Sequence, residues 1–424
     1  MGSKLSADPC YPTFLALCSR ATPPIKPTSA VKPAPTSRLQ TRQRWSPLHL
    51  TSSTLSSLNS CPASRKSLSS STTATLPEHS QATKSPSKTH VSPPLVHANP
   101  IQVRADPGKY AFKYGIGPVP DVARTTTYHV PVPAGGFVAV RVYESAAILD
   151  AKHRPVYINY HGGGWTFGGF ESDKAFCCKV TNWVGCVVVD VDYRLAPEHP
   201  WPAQLQDSWA AFLWVFSQFT RWKVTLQVRE NAEMLGIDAE NIIIGGVSAG
   251  GHLAAIIAQR CLALQIPLKL QILTVPAVDL TALDEMWNIP PDCFYPSYAE
   301  NAKAPLFPVE RMQYFLKHFL GQQMPLPLPA ANPAILSSEI ELSPIKAGSL
   351  RGLAPALIST ADVDILRDEG EAYAWKLETD GVNVDLKRFM GVPHPFMFMA
   401  GALPEAREYI QRCCDAMKIS FGIL

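Results

Sequence analysis

The sequence predicts an α/β fold in which helices cover both faces of a mostly parallel central sheet. Beyond about residue 101, apolar segments typical of strands alternate with segments that have helical spacing. This alternation is typical of parallel sheets, because the connection between two parallel strands is usually a helix. Two glycine-rich turns, HGGGW at residues 161–165 and GVSAG at residues 246–250, each follow directly on an apolar strand-like run. Both turns are therefore expected at the ends of strands.

The strands and helices can be predicted one by one from the spacing of apolar residues. The run CVVVDVD at residues 186–192 is nearly continuous, as expected of a strand buried on both faces. After Pro202, Leu205, Trp209 and Phe212 fall on one stripe of a helix. Strands are predicted at residues 137–143, 156–160, 186–192, 241–245, 268–275, 356–360 and 382–389. Helices are predicted at residues 172–183, after Pro202, at 249–262, at about 366–379 and from about Pro404.

Residues 280–349 interrupt the alternation of strands and helices and are rich in proline and aromatic residues. The segment lies between two predicted strands, so it is expected over the carboxyl edge of the sheet. We interpret it as a cap insertion that shapes a substrate pocket. The alternative is that its aromatic side chains only pack the segment against the body.

Residues 1–100 differ in composition from the rest of the chain. They contain eleven Lys or Arg and two acidic residues, whereas the remainder contains 27 basic and 33 acidic residues. The segment is dense in Ser, Thr and Pro, and it is predicted to be a disordered basic leader that precedes a catalytic domain at 101–424. The positive net charge belongs to the leader, which argues against a nucleic-acid partner.

Several other classes of protein lack support in the sequence. There is no CxxC pair, HExxH, GxGxxG or P-loop string, so neither a metal nor a cofactor is predicted. Seven cysteines lie beyond residue 100 and are expected to be mostly free, buried thiols. The apolar runs are too short for a transmembrane span, and we expect a cytoplasmic protein. The leader is also compatible with organellar targeting or with N-myristoylation at Gly2.

The second glycine turn carries a candidate nucleophile, Ser248. A serine hydroxyl needs a base to take its proton and a third group to orient that base. Downstream of Ser248 the sequence offers His252, His318 and His394. His252 lies one turn along the next helix, and His318 lies inside a predicted helix at 309–320. His394 alone follows the last predicted strand on a short loop, so it is the predicted base.

The acid is harder to select from position. The strand at 356–360 is followed by four carboxylates. Asp368 and Glu369 fall in the first turn of the next helix, where acidic residues commonly complement the helix dipole. Asp362 and Asp364 remain on the loop, and position does not choose between them.

The motifs in this order resemble those of the hormone-sensitive-lipase-like family of α/β-hydrolases. They are HGGGW, YRLAPEHPWPA at 193–203, GVSAGG, LRDEG and the late histidine, and they span roughly residues 101–424. The resemblance implies an α/β-hydrolase fold of the carboxylesterase branch and a catalytic triad of Ser248, Asp364 and His394. It thereby selects Asp364 over Asp362.

The resemblance also implies an oxyanion hole formed by the backbone N–H groups of Gly163, Gly164 and Ala249. Glycine fits this role because no Cβ blocks the approach of its amide to the substrate. His161 and Gly162 are expected to support the turn rather than to take part in the chemistry. Glu198 and His199, in the proline-rich motif, are interpreted as parts of a structural loop.

The function implied is a serine carboxylesterase that acts on short- to medium-chain or aryl esters, acetyl esters included, without a cofactor. Residues 392–396 resemble fungal members, some of which remove acetyl groups from polyketide intermediates, which suggests a tailoring role in secondary metabolism. Two alternatives remain open. An acyltransferase would use the same triad with another alcohol, and a ligand-binding receptor on the same fold tends to lose a triad member.

Overall fold

Eight strands form one sheet in the part of the chain that the computed structural model describes. The described residues are 98–110, 114–149, 151–217, 236–284, 287–321 and 338–423. The predicted leader lies outside them except for its last residues, 98–100. The sheet order is β1-β2-β4-β3-β5-β6-β7-β8, with β1 and β2 antiparallel to their neighbours and all other pairs parallel. The strands are β1 (Arg124–Pro131), β2 (Phe137–Glu144), β3 (Arg154–Tyr160), β4 (Val187–Asp192), β5 (Ile237–Val247), β6 (Leu270–Thr274), β7 (Ala356–Val363) and β8 (Val384–Pro393).

Helices cover both faces of the sheet, as the sequence predicts. The α-helices are α1 (Pro100–Ala105), α2 (Pro107–Tyr110), α3 (Phe170–Val184), α4 (Ala203–Ser217), α5 (Ala249–Ala263), α6 (Pro296–Glu300), α7 (Val309–Phe319), α8 (Ser338–Leu342), α9 (Arg367–Thr379) and α10 (Pro404–Phe421). One apolar core joins α4, α5 and α9 to the sheet, and a second joins α3 and α10 to the opposite face. Three central strands, β3, β4 and β6, are buried almost throughout, as expected of parallel strands that are covered on both faces.

The observed boundaries differ from the predicted ones where polar residues extend a strand. β5 begins at Ile237 because that residue pairs with Arg154 before a register shift. β8 continues to Pro393, which pairs with Val363 after a shift in β7. His394 therefore follows directly on a strand instead of lying at the end of a short loop.

The predicted cap segment lies between β6 and β7 and contains α6, α7 and α8. Residues 285–286 and 322–337 of this segment lie outside the described residues. The seven cysteines of the described part are free and all but Cys293 are buried, so that prediction is confirmed. No helix in the described residues is both long and apolar enough to cross a membrane.

Candidate active site

The two glycine turns leave the sheet side by side, at the carboxyl ends of β3 and β5. Tyr160, the last residue of β3, is the register partner of Gly246 in β5. The turns pack closely, since a Cβ atom on Gly250 would lie 1.9 Å from the carbonyl oxygen of Tyr160. Only glycine fits at that position.

Ser248 lies in the sharp turn between β5 and α5. Its backbone has φ 56° and ψ −113°, a conformation that L residues rarely adopt. Such a conformation costs on the order of 1–3 kcal/mol and persists only where the surrounding structure holds it. Here the Ser248 N–H donates to the carbonyl of Thr274 at 2.8 Å, which ties the turn to the end of β6.

A chain of two hydrogen bonds joins Ser248, His394 and Asp364. Ser248 Oγ lies 2.9 Å from His394 Nε2, and His394 Nδ1 lies 2.7 Å from Asp364 Oδ2. A carboxylate only accepts, so Nδ1 carries the proton and donates it to Asp364. This leaves Nε2 free to accept the serine proton. The structure thus brings together the three residues that the sequence predicts.

The structure also separates the two aspartates between which position could not choose. Asp364 is fully buried, and its second carboxylate oxygen accepts the N–H of Leu366 at 3.0 Å. Asn301 on the β6–β7 segment donates to the Asp364 carbonyl at 3.0 Å. Asp362 instead accepts the N–H of Gly391 at 3.2 Å and so steadies the end of β8 that precedes His394.

The other two downstream histidines lie in different surroundings. His252 is fully buried: its Nδ1 accepts from Trp165 Nε1 at 3.3 Å, and its Nε2 donates to the carbonyl of Leu342 at 3.2 Å. Burial lowers the His252 pKa to about 3, so the ring stays neutral. His318 lies on α7, with its ring against Tyr314.

The HGGGW turn holds a backbone that other residues would not tolerate. Gly163 and Gly164 have φ values of 122° and 59°, and a Cβ on Gly164 would lie 2.2 Å from the ring of Phe315. The carbonyl of Gly163 accepts the N–H of Phe167 at 2.9 Å. Within the described residues, the N–H groups of Gly163 and Gly164 donate to no backbone acceptor.

His161 stabilises this turn. Its Nδ1 donates to the carbonyl of Gly162 at 2.8 Å, and its ring stacks on Tyr193 with centroids 4.1 Å apart. Complete burial lowers the His161 pKa to about 4, so the ring is neutral near pH 7. Ala249, the third candidate donor, is the first residue of α5, where a backbone N–H has no partner within the helix.

Two aromatic side chains of the β6–β7 segment reach the site. The Phe307 ring stacks on the His394 ring with centroids 4.1 Å apart and an interplanar angle of 21°. Phe315 lies against Gly164, and its ring centroid is 6.3 Å from that of Phe307. The sequence showed that this segment is aromatic, but no local signal indicates which rings contact the catalytic groups.

Glu369 has a structural role that its position in the helix does not indicate. It lies in the first turn of α9 as predicted, but it is fully buried. Its carboxyl accepts the N–H of Val278 at 2.8 Å and the hydroxyl of Tyr298 at 2.8 Å. Burial raises the Glu369 pKa well above its usual value. Glu369 therefore anchors the start of the β6–β7 segment to α9.

The parallel sheet and the glycine turn that carries Ser248 together define an α/β-hydrolase. A family described as "alpha/beta hydrolase fold" matches residues 157–398. Esterase LipI of Mycobacterium tuberculosis is 33% identical over 71% of this chain and 84% of its own. AB hydrolase superfamily protein C1039.03 of Schizosaccharomyces pombe is 32% identical over 69% of this chain and 78% of its own. Among solved structures, a hyperthermophilic esterase of Pyrobaculum calidifontis is 31% identical with a TM-score of 0.62, covering 76% of this chain and 92% of that one.

The chain belongs to this α/β-hydrolase family, in its carboxylesterase branch similar to hormone-sensitive lipase. The fold and the class of enzyme predicted from the sequence, a carboxylic ester hydrolase, are thereby confirmed. The resemblance to fungal members stays a prediction.

Proposed function

We propose that the protein is a serine carboxylesterase in which Ser248, His394 and Asp364 form the catalytic triad. The observation that carries the proposal is the pair of hydrogen bonds, 2.9 Å from Ser248 Oγ to His394 Nε2 and 2.7 Å from His394 Nδ1 to Asp364 Oδ2. Both distances lie within the range of strong protein hydrogen bonds. The strained turn at Ser248 supports the proposal, since such strain is characteristic of functional sites.

In this mechanism His394 moves the proton twice. Ser248 Oγ attacks the ester carbonyl carbon as His394 Nε2 takes the hydroxyl proton, and Asp364 stabilises the imidazolium. When the tetrahedral intermediate collapses, the C–O bond to the alcohol breaks and His394 returns the proton to the leaving alcohol. A water molecule then attacks the acyl-enzyme carbonyl carbon while His394 Nε2 takes one of its protons. When this second tetrahedral intermediate collapses, the bond from the acyl carbon to Ser248 Oγ breaks, His394 returns the proton to Ser248 Oγ, and the carboxylic acid is released.

The oxyanion of each tetrahedral intermediate is stabilised by the N–H groups of Gly163, Gly164 and Ala249. These donors are fixed before the substrate arrives and cost no reorganisation during the reaction. Removal of one such donor typically lowers the rate by about 10²–10³-fold. His161 and Gly162 hold the turn in this arrangement.

The surroundings of Ser248 favour small acyl groups. Ser248 and His394 are each 7% exposed, and Phe307 and Phe315 lie beside the imidazole and the oxyanion turn. We therefore propose that the β6–β7 segment is the cap and that the substrates are short- to medium-chain or aryl esters. The proposed class includes acetyl esters, and a tailoring role in secondary metabolism rests on the resemblance to fungal members.

The Ser248→Ala variant tests the mechanism with p-nitrophenyl acetate as substrate. Turnover should collapse, with at most the small residual rate that the oxyanion donors supply, while circular dichroism shows an unchanged fold. Ser208→Ala is the matched control, because Ser208 is also buried and its hydroxyl has no hydrogen-bond partner in the described residues. Unchanged turnover in Ser248→Ala, or an equal loss in Ser208→Ala, would contradict the proposal.

A panel of p-nitrophenyl esters from acetyl to decanoyl tests the substrate class. We expect kcat/KM to be highest for the short acyl chains and to fall toward decanoyl. Analysis of the products with a competing alcohol present separates hydrolysis from acyl transfer. A preference for decanoyl over acetyl would contradict the proposed role of the cap.

A further inference from the structure

The short helix α1 lies ahead of the sheet in the chain but is fixed to the body of the enzyme. Pro100 and Val103 are buried, and the Asn99 side chain caps the helix by accepting the N–H of Ile101 at 2.9 Å. The Tyr314 hydroxyl on α7 donates to the carbonyl of Ala98 at 3.0 Å. The helix is therefore fixed by two buried residues and by a hydrogen bond from α7, and it carries one arginine.

Arg104 projects from α1 to two loops beside the site. Its Nη1 donates to the carbonyl of Thr166 at 2.6 Å and to the carbonyl of Ala196 at 2.9 Å. Its Nη2 donates to both carboxylate oxygens of Glu198. One guanidinium thus joins three partners that lie 62 to 94 residues away in the sequence.

Thr166 directly follows the HGGGW turn, and Ala196 and Glu198 belong to the loop that is hydrogen-bonded to Trp165 of that turn. The N–H groups of Thr166 and Phe167 donate to the carbonyl of Gly163 at 3.2 and 2.9 Å. The N–H of Ala196 donates to the carbonyl of Trp165 at 2.9 Å. Arg104 adds a side-chain bridge across the two loops, two residues from Gly164.

We propose that Arg104 is a positioning residue that keeps the N–H groups of Gly163 and Gly164 aligned for the oxyanion. It acts through Thr166 and does not touch the substrate, and this inference rests on the proposed function. Arginine suits the role because its planar guanidinium presents five donors in a fixed geometry. The three donors of a lysine lie on one nitrogen, so a lysine cannot bond two carbonyls and a carboxylate in this geometry.

The carboxylate of Glu198 completes the arrangement. Partial burial opposes its ionisation, but the Arg104 guanidinium outweighs this and lowers the Glu198 pKa below its usual value. Glu198 therefore stays charged and orients the guanidinium toward the two carbonyls. This gives the proline-rich motif a link to the oxyanion turn that the sequence did not reveal.

The effect on catalysis should appear in kcat. Oxyanion donors act on the transition state more than on the bound ester, so their misalignment lowers kcat and leaves KM nearly unchanged. A displacement of about 1 Å in such a site costs up to roughly 10²-fold in rate. For Arg104→Ala we expect a loss of about 10- to 100-fold in kcat, with KM within about twofold.

The experiment compares Arg104→Ala, Arg104→Lys and Glu198→Gln with the full-length wild-type chain. Active sites are counted by titration with a p-nitrophenyl phosphonate, so kcat refers to folded enzyme alone. Arg104→Lys should restore little of the lost kcat, whereas Glu198→Gln, which keeps both carbonyl bonds, should lose less than about threefold. Phenylboronic acid, which forms a tetrahedral adduct on the serine, should bind Arg104→Ala more weakly by the same factor that kcat loses.

Arg412→Ala is the matched control. Its guanidinium also bonds a carbonyl and a carboxylate, both on Asp385, but it ties α10 to β8 away from the site. We expect its kcat to match the wild type. If Arg104→Ala lowers only the melting temperature and keeps kcat and boronate affinity, the role is structural and the proposal is overturned.

Amide hydrogen exchange separates this proposal from the proposed function. Peptides that contain residues 163–167 should exchange faster in Arg104→Ala than in the wild type, whether or not the enzyme turns over esters. Unchanged exchange there would overturn the positioning role. A wild-type enzyme without esterase activity would instead overturn the proposed function.

Discussion

Two buried aspartates, Asp173 and Asp190, allow an order-of-magnitude prediction of stability against pH. Asp173 on α3 and Asp190 on β4 are both buried and share the side-chain amide of Asn159, at 3.1 and 2.9 Å. Burial raises the pKa of Asp173 from 3.8 to about 6, more than the hydrogen bond from Asn159 lowers it. The folded protein therefore holds the Asp173 proton more tightly than the unfolded chain does.

The sign of the effect follows from this difference. Between pH 3.8 and about 6 the native state binds more protons than the unfolded state, so the free energy of unfolding falls as the pH rises. The loss is nearly complete about one pH unit above the native pKa. At about 1.36 kcal/mol per unit of pKa, the full cost is about 3 kcal/mol, of which about 2 kcal/mol develops between pH 4 and pH 8.

Asp173→Asn removes this titration and tests the reasoning. The new amide leaves a buried N–H₂ group where Asp173 Oδ1 has no partner in the described residues, so the variant carries a constant cost. The difference between the variant and the wild type should nevertheless shift by about 2 kcal/mol in favour of the variant from pH 4 to pH 8.

Urea unfolding followed by tryptophan fluorescence at both pH values measures this shift. Asp292→Asn, which removes the same charge at an exposed position, is the control. An equal stability difference at pH 4 and pH 8 for Asp173→Asn would refute the assignment of a raised pKa.

Three further predictions concern the β6–β7 segment and the residues that precede the sheet. Phe315→Ala should raise the ratio of decanoyl to acetyl kcat/KM by about tenfold, since it opens space beside Gly164. The free energy of unfolding of Glu369→Gln should lie within about 1 kcal/mol of the wild-type value, because the raised pKa of Glu369 favours the neutral acid. Glu369→Ala should lower the free energy of unfolding by about 2–4 kcal/mol. Deletion of residues 1–97 should keep turnover, and deletion of residues 1–105, which removes Arg104, should lower it.

Each of these predictions has an outcome that contradicts it. An unchanged chain-length profile in Phe315→Ala would show that this ring does not bound the acyl site. Equal stabilities of the two Glu369 variants in chemical unfolding would show that its hydrogen bonds carry little energy. Full activity after deletion of residues 1–105 would contradict the role of α1.

The architecture was largely predictable because central strands and helices carry strong periodic signals. β4 is buried on both faces and has a nearly continuous apolar sequence, which a local pattern identifies. β1 was missed, since it is a mostly exposed edge strand rich in threonine with little apolar alternation. The extension of β8 to Pro393 depends on pairing with Val363, which the local sequence does not show.

Only part of the candidate site could be predicted from the sequence. Ser248 and His394 follow from chain order and the glycine turn, whereas the choice of Asp364 needed the family resemblance. The contacts of Arg104 and Phe307 join residues far apart in the sequence, so no local pattern could indicate them. Glu369 looked like an ordinary helix-start acid, because its burial is set by the β6–β7 segment packed over it.

Covalent labelling of the serine tests the central claim most directly. A p-nitrophenyl alkylphosphonate is attacked like an ester but leaves a stable adduct on the activated nucleophile. Peptide mapping by mass spectrometry should find one phosphonyl group per chain, on Ser248, together with the release of one equivalent of p-nitrophenol and the loss of esterase activity. Adduct formation at another residue, or full activity with Ser248 labelled, would contradict the account.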